Sequence, residues 1–216
     1  PVKVVGASRT DAGVHALGQV ASLSTTRVLS LLALRSGVNA LLPPDIRVLE
    51  VAEVPPGFDA RRWARAKRYA YLIDNGPIAL PFLRRYAWHI PQPLNHSAMR
   101  AGLPGLRGKH DFSAFCAAPG RVRTPICTVF STRLVSRGNL IAILVSADSF
   151  LHHMVRNVVG SLVEVGLGRR PEAWIRDLLA GRDRSQAGPT APAQGLTLLR
   201  VSYPPVSGSQ WGPSSG

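Results

Sequence analysis

The sequence has few acidic residues. It contains 12 Asp and Glu residues against 26 Lys and Arg residues, so its 216 residues carry a formal net charge of +14. A cationic excess of this size indicates a polyanionic partner. Most of these cations are arginines, whose planar guanidinium groups bind phosphates and stack on bases in ways that lysine does not. Charge alone does not distinguish RNA from DNA or from an acidic lipid surface.

Cysteine is also scarce, and long apolar runs are missing. Cys116 and Cys127 are the only cysteines, and their spacing suits neither a disulfide framework nor a C-x-x-C site. A reducing compartment is the simplest interpretation. The sequence has no apolar run as long as a membrane span. Its length is enough for one large domain or two small ones with a hydrophobic core.

What the sequence does have is one aspartate in a loop of small residues. Residues 6–15 read Gly-Ala-Ser-Arg-Thr-Asp-Ala-Gly-Val-His, and they follow a short β-branched run, so we expect the loop to leave a strand. Small residues let the backbone turn sharply and let a ligand approach Asp11. An aspartate in such a loop is also commonly an Asx-turn or a helix N-cap, so this pattern by itself leaves the role of Asp11 open.

Three later segments complete a pattern with this loop. They read Lys-Arg-Tyr-Ala-Tyr at 67–71, Phe-Leu-His-His-Met-Val-Arg-Asn-Val-Val-Gly at 150–160 and Ala-Gly-Pro-Thr-Ala-Pro-Ala-Gln-Gly-Leu at 187–196. In this order the segments resemble the TruA family of tRNA pseudouridine synthases. That family has an R-T-D-A-G-V-H loop, an R-x-Y-x-Y strand and an H-x-M-V-R-N-x-V-G helix. The resemblance covers nearly the whole chain.

The resemblance and the interleaving of predicted elements together predict an α+β fold. The family implies two α/β lobes with mainly antiparallel sheets that meet over a basic central cleft. We expect an N-terminal lobe at 1–62 with the Asp11 loop, a C-terminal lobe at 63–205 and a disordered tail at 206–216. Family members begin with a further strand and helix whose motif is absent here, so we interpret the chain as truncated at its N-terminus.

Hydrophobic periodicity and turn residues predict the individual elements. Proline is expected at the first position of the last helix, Pro171, where its missing N–H costs nothing. The predicted strands are 2–6, 19–24, 46–54, 67–74, 128–135, 140–147 and 196–203, and the predicted helices are 27–41, 94–103, 150–167 and 171–180. Residues 111–125 are expected to be irregular.

The resemblance also implies a catalytic set. Pseudouridine formation breaks the bond between ribose C1′ and uracil N1, rotates the base and rejoins it through C5. Asp11 is implied as the nucleophile or base, Arg156 as its ion-pair partner, and Tyr69 as a ring that stacks on the uracil and relays the proton leaving C5. Whether Asp11 attacks uracil, attacks C1′ or removes a ribose proton stays open. Without the motif, Arg156 would be a surface helix residue, and Tyr69 or Tyr71 would pack in the core.

RNA is expected to lie along arginine-rich surface, with recognition mainly by shape and backbone. We expect Arg9 to contact a phosphate or to occupy the space of the flipped base. The other residues predicted to bind RNA are His15, Arg61, Arg62, Arg65, Lys67 and Arg68. Binding should weaken steeply with salt.

We predict no metal and no cofactor. Although His15, His152 and His153 are metal-ligand types, His152 and His153 are adjacent and expected to point to different faces of a helix, and zinc-site spacing is absent. The expected partners are tRNA, through its anticodon stem-loop, and a second copy in a homodimer. A bacterial cytoplasm is the expected location, with an organelle as the alternative.

Two other functions compete with this one. The first is a non-catalytic RNA-binding or RNA-remodelling protein. Asp11→Asn distinguishes it from the isomerase, in which this change should abolish turnover and leave RNA affinity equal or stronger. The second is an enzyme that acts on a small phosphorylated metabolite, which would explain neither the charge nor a base-stacking tyrosine.

Overall fold

A computed structural model describes residues 2–117 and 124–205 of the chain. The contacts group the chain into two units. Within the described residues, the smaller unit comprises 2–8, 20–64 and 202–205, and the larger one comprises 9–19, 65–117 and 124–201. The predicted tail at 206–216 lies outside the described residues.

Nine strands and four helices are present in the described part of the chain. The strands are β1 (Val4–Gly6), β2 (His15–Ala16), β3 (Ala21–Leu23), β4 (Ala66–Asp74), β5 (Trp88–His89), β6 (Gly108–Asp111), β7 (Ile126–Arg137), β8 (Leu140–Ala147) and β9 (Leu196–Ser202). The helices are α1 (Leu31–Leu41), α2 (His96–Gly102), α3 (Met154–Gly166) and α4 (Trp174–Gly181). No helix among the described residues is long and apolar enough to cross a membrane.

A mixed sheet forms the centre of the larger unit. Its strand order is β2-β9-β4-β8-β7-β6, and β5 pairs with β4. The β4–β8, β7–β8 and β6–β7 pairs are antiparallel, whereas β2–β9 and β4–β5 are parallel. The coarse prediction of a mixed α/β fold is therefore confirmed. The parallel pairs, which the sequence did not predict, join segments far apart in the chain, as in the pairing of His15 with Thr197.

Helix α3 and the strands beside it supply much of the core. Eleven of the 13 residues of α3 are buried, which explains why its sequence is apolar on almost every side. On β4, alternate side chains share a face, and Tyr69, Tyr71 and Ile73 are all buried. The hairpin of β7 and β8 was predicted, and the structure confirms it with the two-residue connection Gly138-Asn139.

The segment 9–19 belongs to the larger unit, although the sequence placed it with an N-terminal lobe. The backbone N–H groups of Leu17 and Gly18 both donate to Leu198 O, at 2.9 and 3.3 Å, next to the β2–β9 pair. These bonds attach the Asp11 loop to the last strand of the sheet. A strand of two residues such as β2 is defined by its pairing with β9 and is too short to show a periodic pattern in the sequence.

In the smaller unit, β1 pairs antiparallel with β3, and helix α1 begins after Ser30, whose Oγ accepts a hydrogen bond from Ala33 N. None of the α1 residues is buried. Near the end of the unit, Asp59 Oδ1 accepts hydrogen bonds from the backbone N–H groups of Arg61 and Arg62 at 2.8 and 2.9 Å. These bonds lower the pKa of the Asp59 carboxyl, and the bond from Arg62 has the larger effect.

Two element predictions were wrong, and one strand was missed. Residues 46–54 form no strand, and within this stretch Val48 bonds to a side chain: the Asn39 amide donates to Val48 O and accepts from Val48 N. Helix α4 begins at Trp174, so Pro171 is not its first residue. Strand β6, which pairs with β7, was not predicted, and only its last residue, Asp111, falls in the stretch 111–125 expected to be irregular.

Candidate active site

An ion pair joins the small-residue loop to helix α3. Arg156 Nη1 lies 2.9 Å from Asp11 Oδ2 and donates a hydrogen bond to it. The side chain of Arg156 is 13% exposed and that of Asp11 is 32% exposed, so the pair lies at the surface but is largely shielded from water. The two residues are 145 positions apart in the chain. The structure thus brings together two of the residues predicted to be catalytic.

Local backbone structure presents Asp11 at this position. Asp11 O accepts a hydrogen bond from Val14 N at 3.0 Å, which closes a tight turn. Gly13 has φ +83, a conformation that other residues adopt only with strain. The turn leads directly into β2, so the loop is held by the sheet at one end.

Two histidines also contact the Asp11 carboxylate. His153 Nε2 lies 3.0 Å from Oδ2 and His152 Nε2 lies 3.5 Å from Oδ1, and the two imidazole rings lie 3.9 Å apart. The prediction that these side chains point to different helix faces was wrong. Both residues precede α3, and His153 has φ 61, which turns its side chain toward the same carboxylate as that of His152.

The charge state of His153 follows from its surroundings. Burial lowers the pKa of its imidazole most, and the positive charge of Arg156 lowers it further. The negative charge of Asp11 opposes both effects without cancelling them. His153 is therefore mainly neutral at neutral pH, and Arg156 provides the positive charge that balances Asp11.

Among the described residues, Asp11, His152 and His153 form a group whose side chains could hold a metal ion. Their ligand atoms lie within 4.8 Å of one another. However, the guanidinium of Arg156 lies against the same carboxylate, and a divalent ion would have to overcome its repulsion and compete for Oδ2. The arrangement suits an ion pair better than a metal centre, and the absence of a metal stays a prediction.

Tyr69 and Tyr71 lie on the same face of β4, as strand alternation predicted. Tyr71 is fully buried, and its hydroxyl donates to Pro192 O at 2.7 Å. Burial raises the pKa of this hydroxyl, which stays protonated as a donor. Tyr69 is 6% exposed and meets Phe150 edge-on, with 4.9 Å between the ring centroids. Both tyrosines are therefore buried in the core, and Tyr69 lies beside Phe150, shortly before α3 begins.

The residues predicted to bind RNA are distributed over both units. Arg61 and Arg62 are exposed in the smaller unit, and Arg9, Arg65 and Arg68 are exposed in the larger one. On β4, Lys67 shares the face of Tyr69, whereas Arg68 points to the opposite face.

His15 has a structural contact as well as its predicted role. Its Nε2 lies 2.6 Å from Arg85 O, and its ring lies 4.8 Å from that of Tyr86. These contacts attach β2 to the segment before β5, and no observation tests whether His15 also touches RNA.

Sequence reasoning missed the polar side chains that support Arg156. Asn157 and Ser161 are buried on α3, one helical turn apart, and Arg184 and Thr190 contact Asn157 from outside the helix. Two uncharged polar residues four positions apart, in a helix rich in valine and other apolar residues, were the available signal. Such residues stay buried only when hydrogen-bonded.

An accessible aspartate held against a helix arginine, in a strongly cationic chain, is suited to nucleophilic or acid–base chemistry on a polyanionic substrate. Comparison with known proteins narrows this class. A family model described as tRNA pseudouridine synthase matches residues 105–204. Curated proteins called tRNA pseudouridine synthase A match almost the whole chain.

In Myxococcus xanthus, such a protein is 46% identical over 203 residues, which cover 94% of this chain and 77% of that protein. The relative in Moorella thermoacetica is 47% identical over 199 residues, which cover 92% of this chain and 81% of that protein. The relative in Enterobacter is 44% identical over 204 residues, which cover 94% of this chain and 76% of that protein. The chain belongs to the tRNA pseudouridine synthase family, a family of isomerases that form pseudouridine in tRNA.

Proposed function

We propose that this protein isomerises uridine to pseudouridine in the anticodon stem-loop of tRNA, with Asp11 as the nucleophile or base. Family membership supports the reaction and the tRNA substrate. The observation that supports the role of Asp11 is its ion pair with Arg156, because the guanidinium orients the carboxylate where a ligand can reach it. The anticodon stem-loop rests on the family resemblance.

The two oxygens of Asp11 have different surroundings. Oδ2 contacts Arg156 and His153 at 2.9 and 3.0 Å, whereas Oδ1 has a longer contact, 3.5 Å, with the exposed His152. We infer that Oδ1 faces the substrate while Oδ2 stays on the guanidinium. In the isomerisation the C1′–N1 bond breaks, a C1′–C5 bond forms, and the proton on C5 moves to solvent while N1 gains one. Atoms and electrons balance without a cofactor.

Tyr69 is the candidate for holding the detached uracil. An aromatic ring can stack on a base, and a phenol can relay a proton. The ring is nearly buried and lies against Phe150. Stacking on uracil therefore requires Phe150 or another neighbouring side chain to shift when RNA binds. The same RNA must extrude its uridine from the stem-loop, which costs a few kcal/mol that the phosphate contacts of the arginines offset.

The remaining parts of the proposal follow from the family resemblance. They are RNA contacts by Arg9 and by the basic residues of 61–68, a basic cleft between two lobes, a homodimer and a cytoplasmic location. The cationic excess of the chain supports an RNA partner, since it has more than twice as many basic as acidic residues.

The first test measures tritium release from tRNA labelled at C5 of uridine. The wild type should release tritium, and Asp11→Asn should reduce the rate by more than about a thousandfold while tRNA affinity stays equal or rises. Asp177→Asn, at an exposed position of α4, is the matched control and should behave as the wild type.

Other outcomes of this test have clear meanings. If the wild type binds tRNA tightly but releases no tritium, the non-catalytic RNA-binding function replaces the proposal. If Asp11→Asn retains the wild-type rate, Asp11 is not the nucleophile or base, although the protein is still an isomerase.

A further inference from the structure

The segment at 187–192 binds Arg156 at two points. Ala191 N donates to the backbone O of Arg156 at 3.1 Å, and the side-chain Nε of Arg156 donates to Ala191 O at 2.7 Å. The second bond fixes the plane of the guanidinium, because Nε and both Nη atoms are coplanar. The direction in which Nη1 points at Asp11 is therefore set by the position of Ala191 O.

This segment lies unusually close to α3. A Cβ atom on Gly160 would overlap Pro189 O, and one on Gly188 would come within 2.8 Å of Ser161 Cα. Ser161 Oγ accepts a hydrogen bond from Gly188 N at 3.0 Å and donates one to Asn157 O at 2.9 Å. Glycine at both positions allows backbone to pack directly on the helix.

Arg184 bonds both to the segment and to α3. Its Nη1 donates to Gly188 O at 3.0 Å, and its Nη2 donates to Asn157 Oδ1 and to Thr190 Oγ1, both at 3.1 Å. The hydroxyl of Thr190 donates to Asn157 Oδ1 at 2.7 Å, and Asn157 Nδ2 donates to Phe115 O at 2.8 Å. Asn157 is fully buried, so its amide orientation is determined by these partners.

We propose that Arg184 and Thr190 are positioning residues, which hold Ala191 O where it aims the guanidinium of Arg156 at Asp11. This inference rests on the proposed function of the Asp11–Arg156 pair. Arg184 and Thr190 act on the chemistry through the segment and need not touch the substrate. Thr190 precedes Ala191 directly, so loss of its hydroxyl bond changes the position of the Ala191 carbonyl.

The competing explanation is that Arg184 is one more cation for RNA. Two variant pairs separate the explanations. Arg184→Met removes the bonds and one charge, while Arg176→Met removes one charge from an exposed position of α4. Thr190→Val removes only the hydroxyl, while Thr190→Ser keeps it.

The measurements are kcat and KM for tRNA, at a temperature below the Tm of every variant. We expect Arg184→Met to lower kcat by about 10- to 100-fold and Thr190→Val by about 3- to 10-fold, with KM within about twofold, because a small misplacement of a catalytic group affects the rate more than binding. Thr190→Ser and Arg176→Met should keep the wild-type kcat. A raised KM with unchanged kcat in Arg184→Met, or equal rates for Thr190→Val and Thr190→Ser, would overturn the proposal.

A second readout needs no activity. The Nε–H of Arg156, assigned by its disappearance in Arg156→Lys, should exchange slowly with water because Ala191 O accepts its hydrogen bond. Arg184→Met and Thr190→Val should each accelerate this exchange by about tenfold, the effect of losing about 1.4 kcal/mol of protection. Unchanged exchange in both variants contradicts the positioning role even if the wild type proves to be no isomerase.

Discussion

Helices α3 and α1, one in each unit, differ in how far their stabilising contacts reach along the sequence. In the larger unit, α3 is buried along most of its length, and hydrogen bonds join it to segments 35 and 145 residues away. In the smaller unit, α1 has no buried residue and is capped locally by Ser30, while Val28 and Leu41 are almost fully exposed. The comparison shows that the proposed catalytic geometry depends on long-range contacts, whereas α1 is stabilised mainly by near neighbours.

The largest expected difference between the two helices comes from one glycine substitution in each. Gly160→Ala places a methyl group where Pro189 O lies, so the segment at 187–192 must move away from α3. We expect the free energy of unfolding to fall by about 3 kcal/mol or more and the isomerisation rate to fall with it. Gly37→Ala, in α1, meets no atom within 4 Å and should raise the free energy of unfolding by about 0.5–1 kcal/mol. Urea unfolding measures both, and equal effects would contradict the comparison.

An arginine pair gives the next largest difference. Arg156→Met leaves the Asp11 carboxylate without its guanidinium, and we expect a loss of about 1–3 kcal/mol in stability, below the value for a fully buried pair because Asp11 is one-third exposed. The rate should fall by at least about 100-fold. Arg35→Met, in the exposed helix α1, should change neither by a measurable amount. Unfolding curves measure the change in stability, and tritium release measures the change in rate. Wild-type values for Arg156→Met in both would contradict the prediction.

The salt dependence of tRNA affinity measures how many phosphate contacts the basic residues of each unit make. Arg61→Gln with Arg62→Gln tests the smaller unit, and Arg65→Gln with Arg68→Gln tests the larger one. Each lost phosphate contact should reduce the slope of log affinity against log salt by about 0.7–0.9. If one double variant keeps the wild-type slope, its unit makes no phosphate contact through those arginines.

The smallest expected effect concerns pH. Burial lowers the pKa of His153, so the unfolded chain takes up a proton more readily than the folded one, and stability is lost as the pH falls through the folded pKa. His153→Asn, which tolerates the φ of 61, removes this contribution. Between about pH 7 and pH 5.5 the wild type should lose more in Tm than the variant, by less than about 2 °C. Parallel curves would show that His153 titrates normally.

Much of the site could be predicted from the sequence, because its motifs keep chemically specific residues in a fixed order. The resemblance singled out Asp11 and Arg156, and the structure places them in contact. Strand alternation correctly put Tyr69 and Tyr71 on one face of β4. Whether Tyr69 and the basic residues of 61–68 act on RNA stays a prediction.

Other features were beyond sequence reasoning for a physical reason. The strand predicted at 46–54 does not form, and Val48 within that stretch bonds to the side chain of Asn39. The two histidines before α3 meet at Asp11 because His153 adopts a left-handed backbone conformation that helical periodicity does not describe. In both places the residue types were read correctly from the sequence, but the residues that they contact could not be predicted from it.

The sequence by itself determined the cationic character of this protein, its family and the side chains available for chemistry, since these depend on residue type and order. Only the tertiary structure decided that Ala191 O orients Arg156, that Arg184 and Thr190 hold that carbonyl, and that the Asp11 loop belongs to the larger unit. The reason is that hydrogen bonds between distant segments depend on how the chain packs, and a linear pattern records neither their direction nor their distance.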